Sequence, residues 1–383
     1  MKKEKVRGRL GRPQRPCQAL RALSAAVGGL LVGGALYVYS FHRVKTITEV
    51  GAMLQTLSKP MHDDRCRRVN ATHLQCLPNV FFIGASKCGT TSITEYLARQ
   101  PGVHFVRRRI YPTDRHREVH RFDRNTYHRS IRAVELLEEW TSSPVVQSAD
   151  EAVIHYTPHY LYAPTVPFDL RDLFPPSLAQ RLKFIVILRN PTRRALSSYW
   201  FQNSHIFHPR DQGSHEELYT LCESEFARRR TFDACMCRDR SDGSSTDSAS
   251  VRKALRHRLE LCFGSSLRST SLGGLHVDKG VYADQLERWF ANFPRENFFI
   301  TSLEQWQRDA VGEFSRLLRF IGVPPSTSAL GLSLSANASL ARLVRPNSLQ
   351  TEAPRDLLQR LDSFFMPHTH RLGRLLSPAP LLD

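Results

Sequence analysis

The stretch FFIGASKCGTTSITEYL, Phe81–Leu97, decides the fold. An apolar run, Val80–Ile83, leads into a turn that contains Gly84 and Gly89, and a helix-forming run follows. A turn of this kind between a buried strand and a helix points backbone N–H groups and the helix dipole at one place. The stretch therefore predicts a strand, a phosphate-sized anion site and a helix.

The lysine of this turn is in an unusual position. The phosphate loop of nucleotide triphosphatases reads G-x-x-x-x-G-K-[ST], with the lysine after the second glycine. Here Lys87 precedes Gly89, so its side chain would reach across the anion to the group beyond it. Thr90 and Thr91 offer hydroxyl and N–H groups at the helix start. This order disfavours a P-loop kinase, and the structural alternative is an ordinary turn with a solvated lysine.

A second segment, FIVILRNPTRRALSSYW, repeats the strand–turn–helix pattern. Arg189 ends the apolar strand, and Ser197 follows eight residues later on the next predicted helix. An arginine and a serine in these places can bracket another phosphate. The two segments together predict two phosphate sites on adjacent strands of one sheet.

Strand-like and helix-like segments alternate along the rest of the chain. Strands are predicted in NVFFIG, GVHFV, RLKFIVIL and ENFFITS, and helices in TTSITEYLARQ, RRALSSYWFQ, VGEFSRLLRFIG and PRDLLQRLDSFFM. This alternation predicts an α/β protein with a central parallel sheet in a P-loop-like three-layer fold. We expect one domain over residues 79–383, with a flexible insertion at 239–250, DRSDGSSTDSAS.

The N-terminal region has the pattern of a membrane anchor. Residues 1–21 have a net charge of +7, and residues 22–41 contain no charge. Twenty uncharged residues are long enough to cross a hydrocarbon core of about 30 Å. The alternatives are a cleaved signal peptide and a buried core helix, but the length and the absence of a polar stripe favour an uncleaved signal anchor with its basic tail in the cytosol. Residues 42–78 are then a luminal stem.

Cysteines and glycosylation tripeptides agree with a luminal domain. Outside the cytosolic tail and the glycine turn there is an even number of cysteines, which favours disulfides of undetermined pairing: Cys66, Cys76, Cys222, Cys235, Cys237 and Cys262. A zinc site is the rival interpretation, but the spacing of a zinc knuckle is missing. Asn70 and Asn337 begin glycosylation tripeptides.

At this point the chain resembles the sulfotransferase family, and most closely its Golgi carbohydrate members. The family's sulfuryl donor is 3′-phosphoadenosine 5′-phosphosulfate (PAPS). By this resemblance Lys87 contacts the 5′-phosphosulfate and its bridging oxygen, while Arg189 and Ser197 hold the 3′-phosphate. The same resemblance places the 5′-phosphate against the residues after the lysine, namely Cys88, Gly89, Thr90, Thr91 and Ser92.

The segment REVHRFD resembles the K-E-x-H-F-F-D segment of heparan-type sulfotransferases, whose glutamate is the expected base. Glu118, His120 and Asp123 match it position by position. Glu118 is then the group that takes the proton of the acceptor hydroxyl. His120 and Asp123 would support it or contact the acceptor. From composition alone these residues would be surface charges of a polar loop.

Two further segments are partial matches. In AVIHYTPHYL, His155 and Tyr156 stand where the family has a glutamate and a catalytic lysine. Either His155 takes over this catalytic role or it is structural, and the sequence leaves both interpretations open. In KGVYADQLERWF, Lys279 is a candidate contact for the cofactor or the acceptor. The cysteine-bearing middle and the C-terminal segment most resemble the enzyme that 6-sulfates N-acetylgalactosamine 4-sulfate in chondroitin.

The sequence therefore predicts a single-pass type II Golgi membrane protein that transfers a sulfuryl group from PAPS to a glycan. The net charge of +18 suits an anionic glycan such as chondroitin or dermatan sulfate. Heparan-type acceptors and a non-catalytic glycan-binding module are the alternatives. No metal and no nucleic acid are expected, and Gly29 and Gly33, with a GxxxG spacing, leave a homodimer open.

Overall fold

The computed structural model describes residues 38–40, 43–45, 62–106, 118–123, 139–140, 142–203, 213–237, 248–266, 275–325 and 353–377. The chain divides into two compact units, Met1–Leu54 and Gln55–Asp383. In the first unit, strand β1 (Val38–Ser40) pairs antiparallel with strand β2 (Arg43–Lys45).

The predicted membrane helix over residues 22–41 is not shown. Most of it lies outside the described residues, and its part at Val38–Ser40 is the strand β1. Within the described parts of the chain, no helix combines the length and the apolar character needed to span a bilayer. The signal anchor therefore stays a prediction.

Five parallel strands form the centre of the second unit. They are β5 (Val80–Gly84), β6 (Val103–Phe105), β8 (Ala152–Tyr156), β9 (Lys183–Leu188) and β10 (Phe298–Ser302), in the spatial order β10-β9-β5-β8-β6. Every residue of β5 and β8 is buried, as expected for strands that are covered on both faces. The predicted α/β class with a central parallel sheet is confirmed.

The helices of the second unit follow the predicted alternation. Those described are α1 (Thr90–Leu97), α2 (Val166–Leu173), α3 (Pro176–Ala179), α4 (Pro191–Gln202), α5 (His215–Cys237), α6 (Ser248–Ser266), α7 (Tyr282–Phe290), α8 (Leu303–Arg308), α9 (Ala310–Ile321) and α10 (Arg355–Leu376). The apolar side chains of α7 and α9 share one core cluster with the strands of the sheet. A second cluster joins α4, α5 and α10.

A small antiparallel sheet contains part of the segment that the sequence assigns to the stem. It contains β3 (Cys66–Arg68), β4 (Leu74–Cys76) and β7 (Val145–Val146). A disulfide joins Cys66 to Cys76. Because β4 is hydrogen-bonded to β7, β3 and β4 lie in the second compact unit, and the boundary between stem and domain stays a prediction. Asn70 lies exposed in the turn between β3 and β4, where its glycosylation stays a prediction; Asn337 lies outside the described residues.

Helices α5 and α6 are neighbours joined by a second disulfide, Cys235–Cys262. The sequence left the disulfide pairing undetermined and did not predict this pair of long helices. Residues 239–247 of the insertion lie outside the described residues, while Ser248 begins α6. Cys222 and Cys237 are not in disulfides, and Cys237 is exposed.

Removing the Cys235–Cys262 disulfide is expected to destabilise the second unit. The bond closes a loop with a sequence separation of 27 residues. Replacing both cysteines with serine should lower the free energy of unfolding by about 3 kcal/mol, because the unfolded chain gains conformational freedom. Urea unfolding measures the change, and Cys237→Ser is the matched control. Equal stability of the double variant and the control would contradict a stabilising role.

Candidate active site

The turn after β5 is shaped by two glycines. A Cβ atom added to Gly84 would lie 2.6 Å from Leu161 Cβ, so only glycine fits there. Gly89 has a φ of 78°, in the left-handed region that favours glycine, and it is the N-cap of α1. The Ala85 N–H donates to Ile187 O of β9 at 2.8 Å. The turn is thus fixed to the neighbouring strand and leads directly into a helix N-terminus, where anions bind favourably.

Lys87 occupies the middle of this turn, with a φ of 71°. Its Nζ lies 3.3 Å from the ring centroid of Phe201. Burial lowers the pKa of Lys87 to about 8, and the guanidinium groups of Arg189 and Arg194 act in the same direction. The lysine therefore stands among positive charges, and an anion bound here would stabilise its protonated form.

Arg189 lies beside the same turn. Its Nη1 donates a hydrogen bond to Lys87 O at 3.2 Å. The next residue, Asn190, caps α4 by accepting from the Arg193 N–H at 3.0 Å. The Asn190 N–H in turn donates to Glu304 Oε1 at 3.0 Å, which ties the turn to α8. The structure thus brings the two predicted phosphate elements to one place.

The residues after the lysine have different environments. The Cys88 side chain is fully buried, 3.7 Å from the Tyr282 hydroxyl, and burial raises its pKa to about 11. The Cys88 thiol is therefore part of the core, and only its backbone remains for the predicted phosphate contact. Thr90 Oγ1 lies 3.0 Å from the Tyr156 hydroxyl. Thr91 and Ser92 are half-buried in the first turn of α1.

Glu118, His120 and Asp123 form a continuous chain of hydrogen bonds. His120 Nε2 lies 2.7 Å from Glu118 Oε2, and His120 Nδ1 lies 2.7 Å from Asp123 Oδ2. The His120 N–H donates to Thr157 Oγ1 at 3.0 Å, which holds the segment against the end of β8. The backbone of His120 has a φ of 49°, an uncommon conformation for a residue other than glycine.

Opposite charges alternate along this chain. Burial alone would lower the pKa of His120, but hydrogen bonds to the carboxylates of Asp123 and Glu118 raise it to about 9. Burial would raise the pKa of Asp123, but His120 and His159 outweigh it and hold that pKa well below its usual range. At neutral pH a cationic His120 therefore lies between two carboxylates. Its position fixes the direction of the Glu118 carboxylate.

The position of His155 favours the structural one of the two interpretations that the sequence left open. Its side chain is fully buried. His155 Nδ1 lies 2.6 Å from Glu139 Oε1, and Nε2 lies 2.9 Å from the Tyr160 hydroxyl. The ring also stacks on Phe81 at a centroid distance of 5.1 Å. Because both ring nitrogens are engaged inside the core, neither is available to an acceptor.

Tyr156, and not His155, faces the turn after β5. Its hydroxyl contacts Thr90, and its ring lies 5.3 Å from that of Phe82. Burial raises the pKa of Tyr156 above its ordinary value, and the nearby Glu118 charge adds to this. The hydroxyl therefore stays neutral. It can hydrogen-bond at the position where the resembling family has a lysine, but it cannot supply the lysine's charge.

Lys279 and Ser197 complete the set of predicted residues. Lys279 is buried in the 3₁₀ turn Asp278–Gly280, and its Nζ lies 5.6 Å from the Tyr162 ring centroid. Burial lowers the pKa of Lys279 to about 7, helped by Arg194 and opposed by carboxylates that include Asp123. The Asp123 carboxylate at the end of the Glu118–His120–Asp123 chain therefore interacts electrostatically with Lys279. Ser197 lies buried on α4.

Three residues of the site were not predicted from the sequence: Tyr156 as the partner of Thr90, Phe201 beside Lys87, and Arg194. Arg194 was detectable, because it precedes Ser197 by three residues and residues so spaced share a helix face. Tyr156 and Phe201 carry no comparable signal, since apolar runs contain many aromatic residues that only fill the core. In the described residues no group of three or more His, Cys, Asp and Glu side chains could hold a metal.

Comparison with known proteins identifies the family. Residues 77–344, more than half of the chain, match the family described as the sulfotransferase domain. The chain therefore belongs to the sulfotransferase domain family. The enzyme class expected from the sequence, a sulfotransferase, is confirmed.

The names of several similar proteins refer to carbohydrate substrates. Human heparan sulfate glucosamine 3-O-sulfotransferase 6 is 23% identical over 78% of this chain and 71% of its own length. Human carbohydrate sulfotransferase 15 is 23% identical over 79% of this chain and 54% of its own length. The human bifunctional heparan sulfate N-deacetylase/N-sulfotransferase 3 is 25% identical over 70% of this chain, which spans 25% of that protein.

Solved structures also resemble the chain. A sulfotransferase from Alicyclobacillus acidocaldarius is 21% identical, with a TM-score of 0.49 over 79% of this chain and 97% of that one. A mouse sulfotransferase complexed with PAP is 11% identical, with a TM-score of 0.34 over 90% of this chain and 96% of that one.

The bonds of His120 predict a titration that Asp123 controls. With a folded pKa of about 9 against an ordinary 6.5, charged His120 stabilises the fold below pH 6.5, and this contribution is lost as the pH rises through about 9. Asp123→Asn should move the His120 midpoint, followed by NMR, to lower pH. Asp150→Asn, which changes an exposed carboxylate, is the control. An unmoved midpoint in Asp123→Asn would show that the pair does not form.

Proposed function

We propose that the chain transfers a sulfuryl group from PAPS to a hydroxyl group of an anionic glycan. The observation that carries the proposal is the contact of Arg189 with the Lys87 carbonyl, which joins the two turns that we propose to bind the donor phosphates. Glu118, with its carboxylate oriented by His120, supplies a base in the same domain. Membership of the sulfotransferase family supports this chemistry.

The residues present suit a nucleotide with phosphates at both ends. The α1 N-terminus, with Gly89, Thr90, Thr91 and Ser92 and with the backbone of Cys88, suits the 5′-phosphate. Arg189 and Ser197 suit the 3′-phosphate, because a guanidinium and a hydroxyl bind phosphate oxygens well. Lys87 lies in the turn before Gly89, and its carbonyl oxygen accepts a hydrogen bond from Arg189. An anion bound beside Lys87 would raise its lowered pKa.

In the proposed reaction the acceptor hydroxyl oxygen attacks the sulfur of the donor. A new oxygen–sulfur bond forms, and the bond from sulfur to the bridging oxygen of the 5′-phosphate breaks. Glu118 takes the hydroxyl proton, and the electron pair of the broken bond leaves with 3′-phosphoadenosine 5′-phosphate (PAP). Lys87 stabilises the charge that develops on this leaving group. His120 and Asp123 orient the base and carry no net proton through the cycle.

Asp123 and Lys279 are the proposed acceptor contacts. Burial and neighbouring charge bring the pKa of Lys279 to about 7, so an anionic sugar would hold it in the protonated form. A chondroitin- or dermatan-type chain is our first choice of acceptor, from the sequence resemblance. A heparan-type chain is the second, favoured by the names of two of the relatives.

A non-catalytic glycan-binding module on the same fold is the remaining alternative. The observation in its favour is Tyr156, a neutral group where the resembling family has a lysine. Incubation with labelled donor and a panel of desulfated and sulfated glycans separates the possibilities. Label in a chondroitin or dermatan chain supports our first choice, label in a heparan chain supports the second, and PAP-binding without transfer favours the binding module.

The cellular setting is also proposed. We place the protein in the Golgi membrane as a single-pass type II protein, with residues 22–41 as the anchor and the catalytic domain in the lumen. A homodimer through the anchor helices stays part of this proposal. The carbohydrate sulfotransferases among the relatives are consistent with a Golgi location.

Glu118→Gln tests the proposed base. The variant keeps the size of the side chain but cannot accept the proton, so kcat should fall by roughly 100-fold or more. PAP binding, measured by calorimetry, should not weaken, because Glu118 is not a donor contact and its negative charge lies near Lys87. The exposed carboxylate of α1 provides a matched control, Glu95→Gln, which should retain full activity. Wild-type kcat in Glu118→Gln would remove Glu118 from the mechanism.

A further inference from the structure

Arg194 is the buried charge of the site for which the proposed reaction has no use. Its side chain is fully buried within α4. Arg194 Nη2 donates to His276 O. Arg194 Nε and Nη1 have no hydrogen-bond partner within the described residues, and no described carboxylate forms an ion pair with the guanidinium. An enclosed guanidinium without a counter-charge is unfavourable unless a ligand supplies one.

The peptide group that Arg194 holds belongs to a firmly anchored turn. Ser198, also on α4, lies 3.0 Å through Oγ from His276 Nδ1. From α5, the buried Glu225 accepts from the N–H groups of His276 at 2.6 Å, Val277 at 2.7 Å and Asp278 at 3.2 Å. The turn is therefore clamped between two helices. Lys279 is its next residue.

The charge of Arg194 acts on both sides of the site. The pKa of Lys87 is lowered most by burial, then by Arg189, and then by Arg194. The pKa of Lys279 is lowered most by burial and next by Arg194. Lys87 is faced in addition by Cys88, Phe201 and Glu118. The groups that face Lys279 from the surrounding elements are Arg194, Glu225, Asp278, Asp123, His159, His276 and Tyr162.

We infer that Arg194 is a positioning residue that couples the donor and acceptor sides of the site: it holds the turn that carries Lys279, and its unpaired charge is compensated by the phosphates of the bound donor. This inference rests on the proposed function. Lys87, on the donor side, follows β5, and Lys279, on the acceptor side, follows the turn over residues 276–278. The positive charge of the Arg194 guanidinium acts on both lysines.

The structure offers a matched pair of arginines for the test. Arg193 is exposed on the same helix, so Arg193→Met removes the same charge and chemical group one residue away. Arg194→Met should weaken PAP binding in calorimetry roughly tenfold or more, because a buried charge and its hydrogen bond are lost. Arg193→Met should leave PAP binding close to that of the wild type.

The pH profile of kcat/KM separates this role from a purely structural one. Without the Arg194 charge both lysines keep their protons to higher pH, so the alkaline limb should move upward by on the order of half a pH unit or more. A structural defect would lower activity equally at every pH. The inference is overturned if Arg194→Met has the same alkaline limb and the same PAP affinity as Arg193→Met. It is also overturned if Arg194→Met loses activity equally at every pH while its alkaline limb does not move.

Two further variants keep the test decisive if Arg194→Met does not fold. Arg194→Gln can retain a hydrogen bond to His276 O without the charge, so it should show the shifted limb. Arg194→Lys retains the charge, so its limb should remain at the wild-type pH; a shift like that of Arg194→Gln would overturn the inference. If the wild-type chain neither binds PAP nor transfers sulfate, the proposed function fails; if it does both and Arg194→Met resembles Arg193→Met, only this inference fails.

Discussion

One contact joins the two halves of the donor site, the hydrogen bond from Arg189 Nη1 to Lys87 O. Lys87 follows β5, and Arg189 follows β9, which pairs in parallel with β5. Because parallel neighbours end at the same sheet edge, the turns after them meet there without any special arrangement of the chain. The apolar runs of the two strands thus determine more than the core. They set the distance between the two groups that we propose to hold one nucleotide.

Positive charge is concentrated around the turn after β5. Lys87, Arg189 and Arg194 lie around this turn. Burial strengthens the repulsion between their charges, and a bound anion would offset it. On the acceptor side, His120 is balanced between the carboxylates of Glu118 and Asp123 and needs no ligand. This difference accounts for how a donor with several negative charges would be bound by electrostatic attraction while the base keeps a fixed direction. It also gives a reason for Lys87 to precede the glycine, since the charge is needed at the bond that breaks.

The donor loop and the parallel sheet were predictable because their signals are contiguous, a buried strand followed at once by a glycine turn and a helix. The place of His155 was not predictable, since every residue of β8 is buried and alternation gives no inside or outside. The partners of Cys66 and Cys235 depend on tertiary contacts that no local pattern encodes. The paired helices α5 and α6 were missed because their apolar residues do not follow one continuous stripe. The burial of Arg194 depends on the turn at His276, which is distant in sequence.

The most direct test of the account is a crystal structure of the protein with PAP bound. We expect one nucleotide at the sheet edge, with its 5′-phosphate at the N-terminus of α1 beside Lys87 and its 3′-phosphate against Arg189 and Ser197. Density for PAP in another part of the molecule, or a nucleotide that contacts Lys87 while Arg189 remains without a phosphate, would contradict the shared site on which the proposed reaction is built.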